Sequence, residues 1–499
     1  MQLPIPKEVC EMLEKLKQNN FLAYIVGGCV RDILMQKEPK DWDIATSAEP
    51  EQIQKIFKNS FYENEFFTVS VLTNSKKENL RIVEVTTFRT EGVYRDKRHP
   101  SKIEKAKNIE EDLKRRDFTI NAIAIDIIKK IIEENGNILC EVKFIDPLGG
   151  LSDIENKIIK TVGNPEERFE EDALRLMRAI RFLVTLGEDW LIENRTSEAI
   201  IKLSYLIKYV SKERLRDELI RIIMEDKTGL GIEYLRIYGL LQYIIPELLE
   251  GYGVSQNKHH IYDVYTHSIK SLQYAISQKF SLEVRLAVLL HDIAKPRVKK
   301  GEGPDATFYN HDIVSARMAE NILRRLKFPK KVIEKVSKLI RYHMFYYNVG
   351  EVTPSSIRRL LRAVGKENIN ELIQLRIADR IGSGCPKAEP YKLRHFKYLV
   401  EKVSQDAITT SMLKIDGNDV MKILNISPGP KVGWILNILL AEVIEDPQKN
   451  NKEYLTKRVE ELGKIEDNTL KEMFEKAKEY LETIEKKRDE MLKSKYWVT

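Results

Sequence analysis

The sequence is poor in cysteine and contains no long apolar run. Only four of its 499 residues are cysteines, and they are widely scattered without the spacing of a metal site. No stretch approaches the roughly 18 to 20 apolar residues that a membrane-spanning helix needs. The N-terminal segment also lacks the uninterrupted apolar core of a signal peptide. These absences predict a protein without a membrane span, located in the reducing cytoplasm.

Positively charged residues exceed negatively charged ones only slightly. Lys and Arg together number 83 against 76 Asp and Glu, which gives a formal net charge of +7. A mildly basic balance suits a polyanionic partner, but many proteins without such a partner share it, so only local clusters of charge are informative. A content of 42% hydrophobic and 32% charged residues is typical of a globular protein. The length exceeds what one hydrophobic core usually organises, which predicts three or four structural units.

Strand-like and helix-like patterns separate along the chain, which predicts an α+β fold. Four short apolar runs bounded by turn residues indicate buried strands at 21–28, 67–72, 81–88 and 120–128. From about Leu151 onward the apolar spacing is helical almost throughout. The predicted domains are an α/β head (1–150), a helical neck (151–245), a histidine-bearing domain (246–385) and a helical body or tail (386–499).

The head contains a glycine pair followed by a charged pair. Gly27 and Gly28 leave a predicted buried strand, and Arg31 and Asp32 follow on the next turn. Glycines at such a position allow the backbone to approach a triphosphate closely, and Arg31 can supply positive charge. The pattern therefore predicts a phosphate-binding turn.

Two aspartates follow this turn. Asp41 and Asp43 are two residues apart, so on a strand they project to one face and can hold a pair of Mg²⁺ ions. Such ions lower the pKa of an attacking 3′-hydroxyl and neutralise charge on a leaving pyrophosphate. An isolated Asp-x-Asp is more often a loop-edge pair or a helix cap. The preceding glycine turn favours the metal site here.

Together these residues resemble the class II tRNA nucleotidyltransferase and bacterial poly(A) polymerase family, whose head has the same GG-x-x-RD and D-x-D series. The resemblance implies an enzyme that adds nucleotides to an RNA 3′ end, and most specifically CMP, CMP and AMP to tRNA from CTP and ATP. It also implies a third acidic residue at Glu84, for which a strand-edge glutamate is the alternative. Residues 115–121 resemble the family motif that contacts the ribose and triphosphate, which implies nucleotide contacts from Arg116, Asp117 and Asn121.

A further acidic and basic group occupies the predicted helix over 171–181. Asp172, Arg175 and Arg178 fall on one helical face, and Arg181 drifts round from it. An aspartate can accept a hydrogen bond from the exocyclic amine of cytosine or adenine, whereas uracil and guanine present an acceptor there. The family resemblance implies that Asp172 and Arg175 select the base and that the other two arginines bind the triphosphate. A salt-bridged exposed face is the alternative.

Residues 87–104 are predicted to form a mobile basic loop between strands of the head. Their Arg, Lys, Gly and Asp content suits an element that remodels the pocket from C to A specificity. In the family that the head resembles, CCA-adding members have such a loop and members that add only CC have an altered one. The full-length loop therefore favours complete CCA addition.

Seven of the eight histidines lie between residues 259 and 395. Imidazoles and carboxylates spread over separate helices suit transition metals or Mg²⁺, and an adjacent His-Asp pair is uncommon in an apolar helix. The series resembles the HD phosphohydrolase domain, which implies a divalent metal such as Mg, Mn, Ni or Fe. The alternative is a set of core histidines in a degenerate domain. The implied ligands are His267, His291, Asp292 and Asp379, with His311 and His343 available for a second ion.

Three functions remain open from the sequence. The first is a CCA-adding enzyme with an HD domain of phosphohydrolase activity, and the second is a poly(A) polymerase or a transferase restricted to A or CC addition. The third is an HD phosphohydrolase with a non-catalytic RNA-binding head, against which the intact Asp41 and Asp43 argue. The predicted partners are tRNA, CTP and ATP, with tRNA bound partly by the tail.

Overall fold

The computed structural model of the chain describes residues 1–62, 67–91, 103–134, 136–257, 261–404 and 409–499. The strands lie in the N-terminal part of the chain. They are β1 (Gln2–Pro6), β2 (Ala23–Val26), β3 (Asp43–Thr46), β4 (Ser60–Tyr62), β5 (Thr68–Leu72), β6 (Ile82–Thr87), β7 (Arg89–Glu91), β8 (Ile103–Lys105), β9 (Ala124–Glu134), β10 (Asn137–Ile145), β11 (Ile158–Ile159) and β12 (Leu191–Ile192).

Eight of these strands form one mixed sheet in the order β1-β10-β9-β2-β3-β6-β5-β4. Its neighbours pair antiparallel except β3 and β6, which are parallel. The four strands predicted from the sequence are confirmed within this sheet, but the last begins at Ala124 rather than at residue 120. The cause is a 3₁₀ turn over Thr119–Asn121, in which the Asn121 amide donates to Asp117 Oδ1 at 3.2 Å.

Helices flank the sheet and then make up almost all of the remaining chain. In the first half they are α1 (Lys7–Gln18), α2 (Gly28–Leu34), α3 (Pro50–Ile56), α4 (Ile109–Lys114), α5 (Gly150–Glu155), α6 (Pro165–Glu171), α7 (Leu174–Leu186), α8 (Asn194–Leu203), α9 (Lys212–Glu225), α10 (Gly231–Ile237), α11 (Leu241–Ile244) and α12 (Pro246–Leu249). In the second half they are α13 (Val264–Ser277), α14 (Leu282–Leu290), α15 (Lys295–Val298), α16 (His311–Arg325), α17 (Lys330–Tyr342), α18 (Pro354–Val364), α19 (Ile369–Gly382), α20 (Tyr391–Ser404), α21 (Gly417–Leu424), α22 (Pro430–Glu445), α23 (Lys452–Gly463) and α24 (Asp467–Tyr496). The α+β fold predicted from the sequence is therefore confirmed.

The chain divides into two compact units. The first comprises residues 1–343 and 371–386, and it contains the sheet and the helices α1 to α17. Its sheet buries one large apolar cluster against α1, which alternates apolar and charged residues at helical spacing. Every functional side chain predicted from the sequence belongs to this first unit.

The second unit comprises residues 344–370 and 387–499. Its main apolar cluster is formed by α21 to α24, and within it α22 and α24 pack against each other most extensively. Among all the described residues, no helix is both long enough and apolar enough to cross a bilayer.

Candidate active site and metal centre

A cleft of about 1020 Å³ opens beside the sheet in the first unit. That volume lies at the upper end of the ~300–1,000 Å³ common for ligand sites. Three residues predicted for this site, Glu84, Asp172 and Arg175, do not line it. The predicted residues that do line it are Gly27, Gly28, Arg31, Asp32, Asp41, Asp43, Arg116, Asp117, Asn121, Arg178 and Arg181.

Acidic side chains come together near the cleft because β3 and β6 run parallel and side by side. Asp43 is the first residue of β3 and is paired in register with Glu84 of β6, while Asp41 precedes β3 by two residues. Burial raises the pKa of Asp43 to about 7, with Asp41 and Glu84 adding to the rise and Arg116 opposing it. A partly buried carboxylate repelled by two others is stabilised by a divalent cation. The donor set of hard oxygens suits Mg²⁺.

Gly27 makes the turn from β2 to α2 that brings the backbone to these acids. Its backbone has φ +84° and ψ −144°, a region that L-residues rarely adopt. A Cβ atom at this position would lie 2.9 Å from Asp43 Oδ2 and 3.1 Å from Arg116 Nη1. Only glycine therefore leaves the carboxylate in place.

A further part of the cleft wall consists of arginine–aspartate pairs. Arg178 donates to Asp117 Oδ2 from Nε at 2.8 Å and from Nη2 at 2.5 Å. Although burial opposes it, the charges of Arg178 and Arg175 hold the pKa of Asp117 well below its usual range. Arg31 is held similarly by Asp32 at 2.7 Å, and it donates to Asn121 Oδ1 at 2.8 Å. These guanidinium groups are thus fixed before any ligand binds.

An aromatic ring that the sequence interpretation missed organises the same wall. The guanidinium carbons of Arg31, Arg178 and Arg181 lie 5.3, 5.5 and 4.6 Å from the centre of the Phe182 ring. Cation–π contacts of this length stabilise desolvated arginines. The available signal was the spacing of Arg178 and Phe182, four residues apart on one helix. Three arginines converging on one ring form a preformed anion-binding wall.

The prediction that one helical face holds Asp172, Arg175 and Arg178 is wrong. The chain leaves the helical conformation at Asp172, which has φ −139° and ψ 101° and ends α6, and α7 begins only at Leu174. Arg175 is buried and donates to Glu171 Oε2 at 2.5 Å and to the Arg168 carbonyl at 3.1 Å. It therefore braces the junction of α6 and α7 in this structure.

Asp172 is instead held from a different helix. Arg214 of α9 donates to both of its carboxylate oxygens, at 3.1 and 2.7 Å. From the same helix, the buried Glu218 forms an ion pair with Arg181 at 2.5 Å. The sequence interpretation missed these α9 residues, although the pattern Arg214-x-x-x-Glu218 places them one turn apart.

The histidines predicted as ligands converge on one buried point from separate helices. His267 lies in the first turn of α13, and its Nε2 atom is 3.1 Å from His291 Nε2 at the end of α14. The same nitrogen is 3.2 Å from Asp292 Oδ2 and 3.4 Å from Asp379 Oδ1. The four ligand atoms of this group all lie within 4.8 Å of one another.

A second group shares one carboxylate with the first. Asp292 Oδ1 lies 3.4 Å from His311 Nε2 and 3.9 Å from His343 Nε2, and these three residues also fall within 4.8 Å of one another. Among the described residues, such tight convergence of three or more potential ligands occurs only in these two groups. The arrangement can hold two ions bridged by Asp292.

Hydrogen bonds orient the imidazoles for metal binding. The Nδ1 atoms of His291, His311 and His343 each lie 2.7 or 2.8 Å from the carbonyl three residues earlier. An Nδ1–H that donates to a carbonyl leaves the Nε2 lone pair directed at the cluster. Burial, followed by the neighbouring His291, lowers the pKa of His343 to about 3, which keeps it neutral. Against the effect of burial, Asp292 and Asp379 raise the pKa of His291 to about 10, so His291 must lose a proton to bind a metal. Neutral imidazole is the form that ligates metals.

The carboxylate shared by the two groups is buried beside a lysine. Both Asp292 oxygens are buried and accept no hydrogen bond of regular geometry among the described residues. The Lys295 ammonium lies 2.6 Å from Asp292 Oδ2 and donates to Gln256 Oε1 at 2.6 Å. Against the effect of burial, His291 and Lys295 hold the pKa of Asp292 well below its usual range. A charged, buried and incompletely bonded carboxylate fits a metal ligand.

The predicted specificity loop is only partly described. Its ends form the antiparallel pair β7 and β8, with Arg89 opposite Lys105. Residues 92–102 lie outside the described residues.

Comparison with known families agrees with this architecture. Residues 23–160 match the "Poly A polymerase head domain", residues 191–251 match the "Probable RNA and SrmB- binding site of polymerase A", and residues 264–383 match the "HD domain". The two groups of histidines and aspartates lie within the last of these ranges.

Relatives and solved structures cover nearly the whole chain. A CCA-adding enzyme of Ligilactobacillus salivarius is 32% identical over 91% of this chain and 96% of its own length. An A-adding tRNA nucleotidyltransferase of Deinococcus radiodurans is also 32% identical, over 66% of this chain and 74% of its own length. The structure of the Bacillus stearothermophilus CCA-adding enzyme in complex with CTP matches with 28% identity and a TM-score of 0.54, covering 91% of this chain and 96% of that one. The chain therefore belongs to the CCA-adding family of nucleotidyltransferases and includes an HD domain.

Proposed function

We propose that this protein completes tRNA 3′ ends by adding CMP, CMP and AMP from CTP and ATP. The observation that carries the proposal is a single cleft that is lined both by carboxylates and by arginines held by acidic partners. Nucleotidyl transfer needs both, because negative charge develops on the attacking 3′-oxygen and on the leaving pyrophosphate.

The residues of the cleft divide between two tasks. Asp41 and Asp43, with Glu84 beside them, would hold Mg²⁺, which when bound neutralises phosphate charge and activates the 3′-hydroxyl. Arg31, Arg178 and the remaining arginines of the cleft orient the triphosphate. The neighbouring Gly27 and Gly28 let the phosphates approach the backbone of the β2–α2 turn.

Base selection is assigned to Asp172 and Arg175. Asp172 would accept from the amine of cytosine or adenine, and Arg214 holds its carboxylate in one orientation. Because neither residue lines the cleft and Arg175 is bonded to Glu171, both must move toward the base when nucleotide binds. The A-adding relative, 32% identical over 66% of this chain, makes A-only addition the alternative product.

The test is addition to three tRNA transcripts that end after the discriminator base, after the first C and after the second C. Each is incubated with Mg²⁺ and with labelled CTP, labelled ATP or both, and the product lengths are read on a gel. The proposal expects two C additions, one A addition and then termination. A-only tails or CC-only products contradict it in favour of the restricted alternatives.

A second activity is favoured by the HD cluster itself. We infer that the six buried His and Asp ligands hold divalent metal and hydrolyse phosphate esters, with Lys295 stabilising the phosphate. The expected substrates are RNA ends with 2′,3′-cyclic phosphate and 2′-nucleotides. Metal content by mass spectrometry and hydrolysis are both expected to be lost in His291→Ala. Retained metal in that variant would refute the assignment.

The four domains predicted from the sequence and the cytoplasmic location remain proposals. Proteolysis at the proposed boundaries near residues 150, 245 and 385 would test the first, and fractionation of cells would test the second.

A further inference from the structure

Four lysines line the transferase cleft beside its arginines. One of them, Lys40, forms an ion pair with Glu225 at 2.7 Å, and the other three are Lys37, Lys227 and Lys279. Lys37 follows α2, Lys227 follows α9 and Lys279 follows α13, so three separate parts of the first unit each contribute one. Lys227 and Lys279 are exposed, and within the described residues neither ammonium group has an acidic partner. Lys227 and Lys279 are therefore positive charges without an ion pair in the described part of the chain.

Two of these charges repel each other. Lys37 is half-buried and donates to the Leu186 carbonyl at 3.0 Å. Burial lowers its pKa, and the nearby Lys227 lowers it further. Repulsion of this kind opposes folding unless a bound anion offsets it. The arrangement thus favours an anionic ligand at this part of the cleft.

A plain structural explanation accounts for each lysine singly but not for their convergence. Each follows the C-terminus of a helix, where a cation gains roughly 0.3–1 kcal/mol from the helix dipole. That effect favours a lysine equally at any helix C-terminus on the surface. It does not explain why three such ends open on the cleft that contains Asp41 and Asp43.

The nucleotide triphosphate already has its own binding wall. Arg31, Arg178 and Arg181 converge on Phe182 and are fixed by acidic partners. Lysine is a flexible point charge suited to the backbone of a strand that must move after each addition. The lysines therefore match the second polyanion of the reaction, the RNA primer.

The helix α13 connects this cleft to the metal cluster. His267 lies in its first turn, while Ile276 and Ser277 of its last turn line the cleft. At ~1.5 Å per residue, His267 and Ser277 are roughly 15 Å apart along the axis. The histidine-bearing region is thus part of the wall of the transferase cleft.

We propose that the 3′-terminal strand of the RNA enters the transferase cleft over the C-terminal end of α13, with its phosphates held by Lys37, Lys227 and Lys279. The proposal rests on the proposed nucleotidyl transfer to RNA. It adds the path of the primer and makes the HD region a contributor of primer-binding residues.

The test compares two double variants with the same change of charge. Lys227→Glu/Lys279→Glu alters the proposed path, and Lys270→Glu/Lys331→Glu alters exposed lysines that do not line the cleft, one of them also on α13. The path variant is expected to raise the KM for tRNA at least tenfold over the control, with kcat at saturating tRNA and the KM for CTP changed less than threefold. The slope of the logarithm of the tRNA binding constant against the logarithm of the salt concentration should become shallower by roughly 0.7 for each phosphate contact that is lost.

Binding of a tRNA transcript, measured by fluorescence anisotropy, separates the two proposals. If the wild-type protein adds no nucleotide but the path variant still binds tRNA at least tenfold more weakly than the control, the proposed function fails and the primer path stands. If nucleotides are added and both variants show the same KM and Kd for tRNA, the primer path is overturned. Unchanged metal content in both variants verifies that α13 keeps its fold.

Discussion

Replacing Gly27 by alanine is predicted to disable the carboxylate edge of the cleft without unfolding the head. The backbone at Gly27, with φ +84° and ψ −144°, costs an L-residue roughly 1–3 kcal/mol. The new Cβ would lie 2.9 Å from Asp43 Oδ2. To reach ordinary van der Waals contact, the Asp43 carboxylate must withdraw by roughly half an ångström.

Displacement of this size at a reacting centre has a large kinetic effect. A misplacement of ~1 Å can cost about 100-fold in rate. We therefore expect Gly27→Ala to lower kcat between about 10- and 100-fold, which corresponds to about 1.4 to 2.7 kcal/mol in the barrier. Because Asp43 is the proposed ligand, the Mg²⁺ concentration for half-maximal activity should rise as well.

The adjacent glycine supplies a matched control. A Cβ at Gly28 would meet only Arg31 Nη2, at 3.7 Å, and the backbone there is not in the left-handed region. Gly28→Ala should therefore leave the Mg²⁺ dependence unchanged and can alter only the KM for nucleotide. The assay is single-turnover addition of labelled CMP over a Mg²⁺ titration. Wild-type rate and Mg²⁺ dependence in Gly27→Ala, or an equal change of Mg²⁺ dependence in Gly28→Ala, would refute the reasoning.

Three further substitutions test other parts of the structure. Arg214→Ala removes two hydrogen bonds from Asp172, each about 1.5 kcal/mol at the low end for charged partners, so CTP-over-UTP preference in kcat/KM should fall by about two orders of magnitude; an unchanged ratio contradicts this. Gly382→Ala places a Cβ 1.9 Å from Ser271 Oγ, so α19 must shift. The HD cluster should therefore lose its metal, as measured by mass spectrometry, while nucleotide addition persists; full metal content argues against it. Gly433→Ala fills open space at an exposed position of helix α22 and should stabilise the helix by ~1 kcal/mol, which slows its hydrogen exchange roughly fivefold; faster exchange would be the contrary result.

The parts of the site that could be predicted from the sequence are those fixed by local geometry. The Gly27 turn and Asp43 follow from a strand that ends in glycine and another that begins with aspartate, so short-range pattern was sufficient. The histidine cluster was predicted because its residue types and order are unusual on apolar helices. In the structure, the ligand atoms of each of its two groups lie within 4.8 Å of one another.

The parts that could not be predicted depend on contacts between distant segments. Helical periodicity extended α7 back to Asp172, but Arg214, which lies 42 positions later in the chain, holds Asp172 outside the helix. Periodicity carries no information about such a partner. Phe182 was missed for the same reason, because its role depends on a contact with Arg31, which belongs to the head.

The central claim is that the carboxylates of the cleft, and not the HD cluster, add C, C and A to tRNA. The most direct measurement is one gel of products from a tRNA lacking its last three nucleotides, made by the wild-type protein, by Asp41→Ala/Asp43→Ala and by His291→Ala. The account predicts complete CCA ends from the wild type and from His291→Ala, and no addition by the double aspartate variant. Addition that survives the loss of both aspartates, or that disappears with His291, would contradict it.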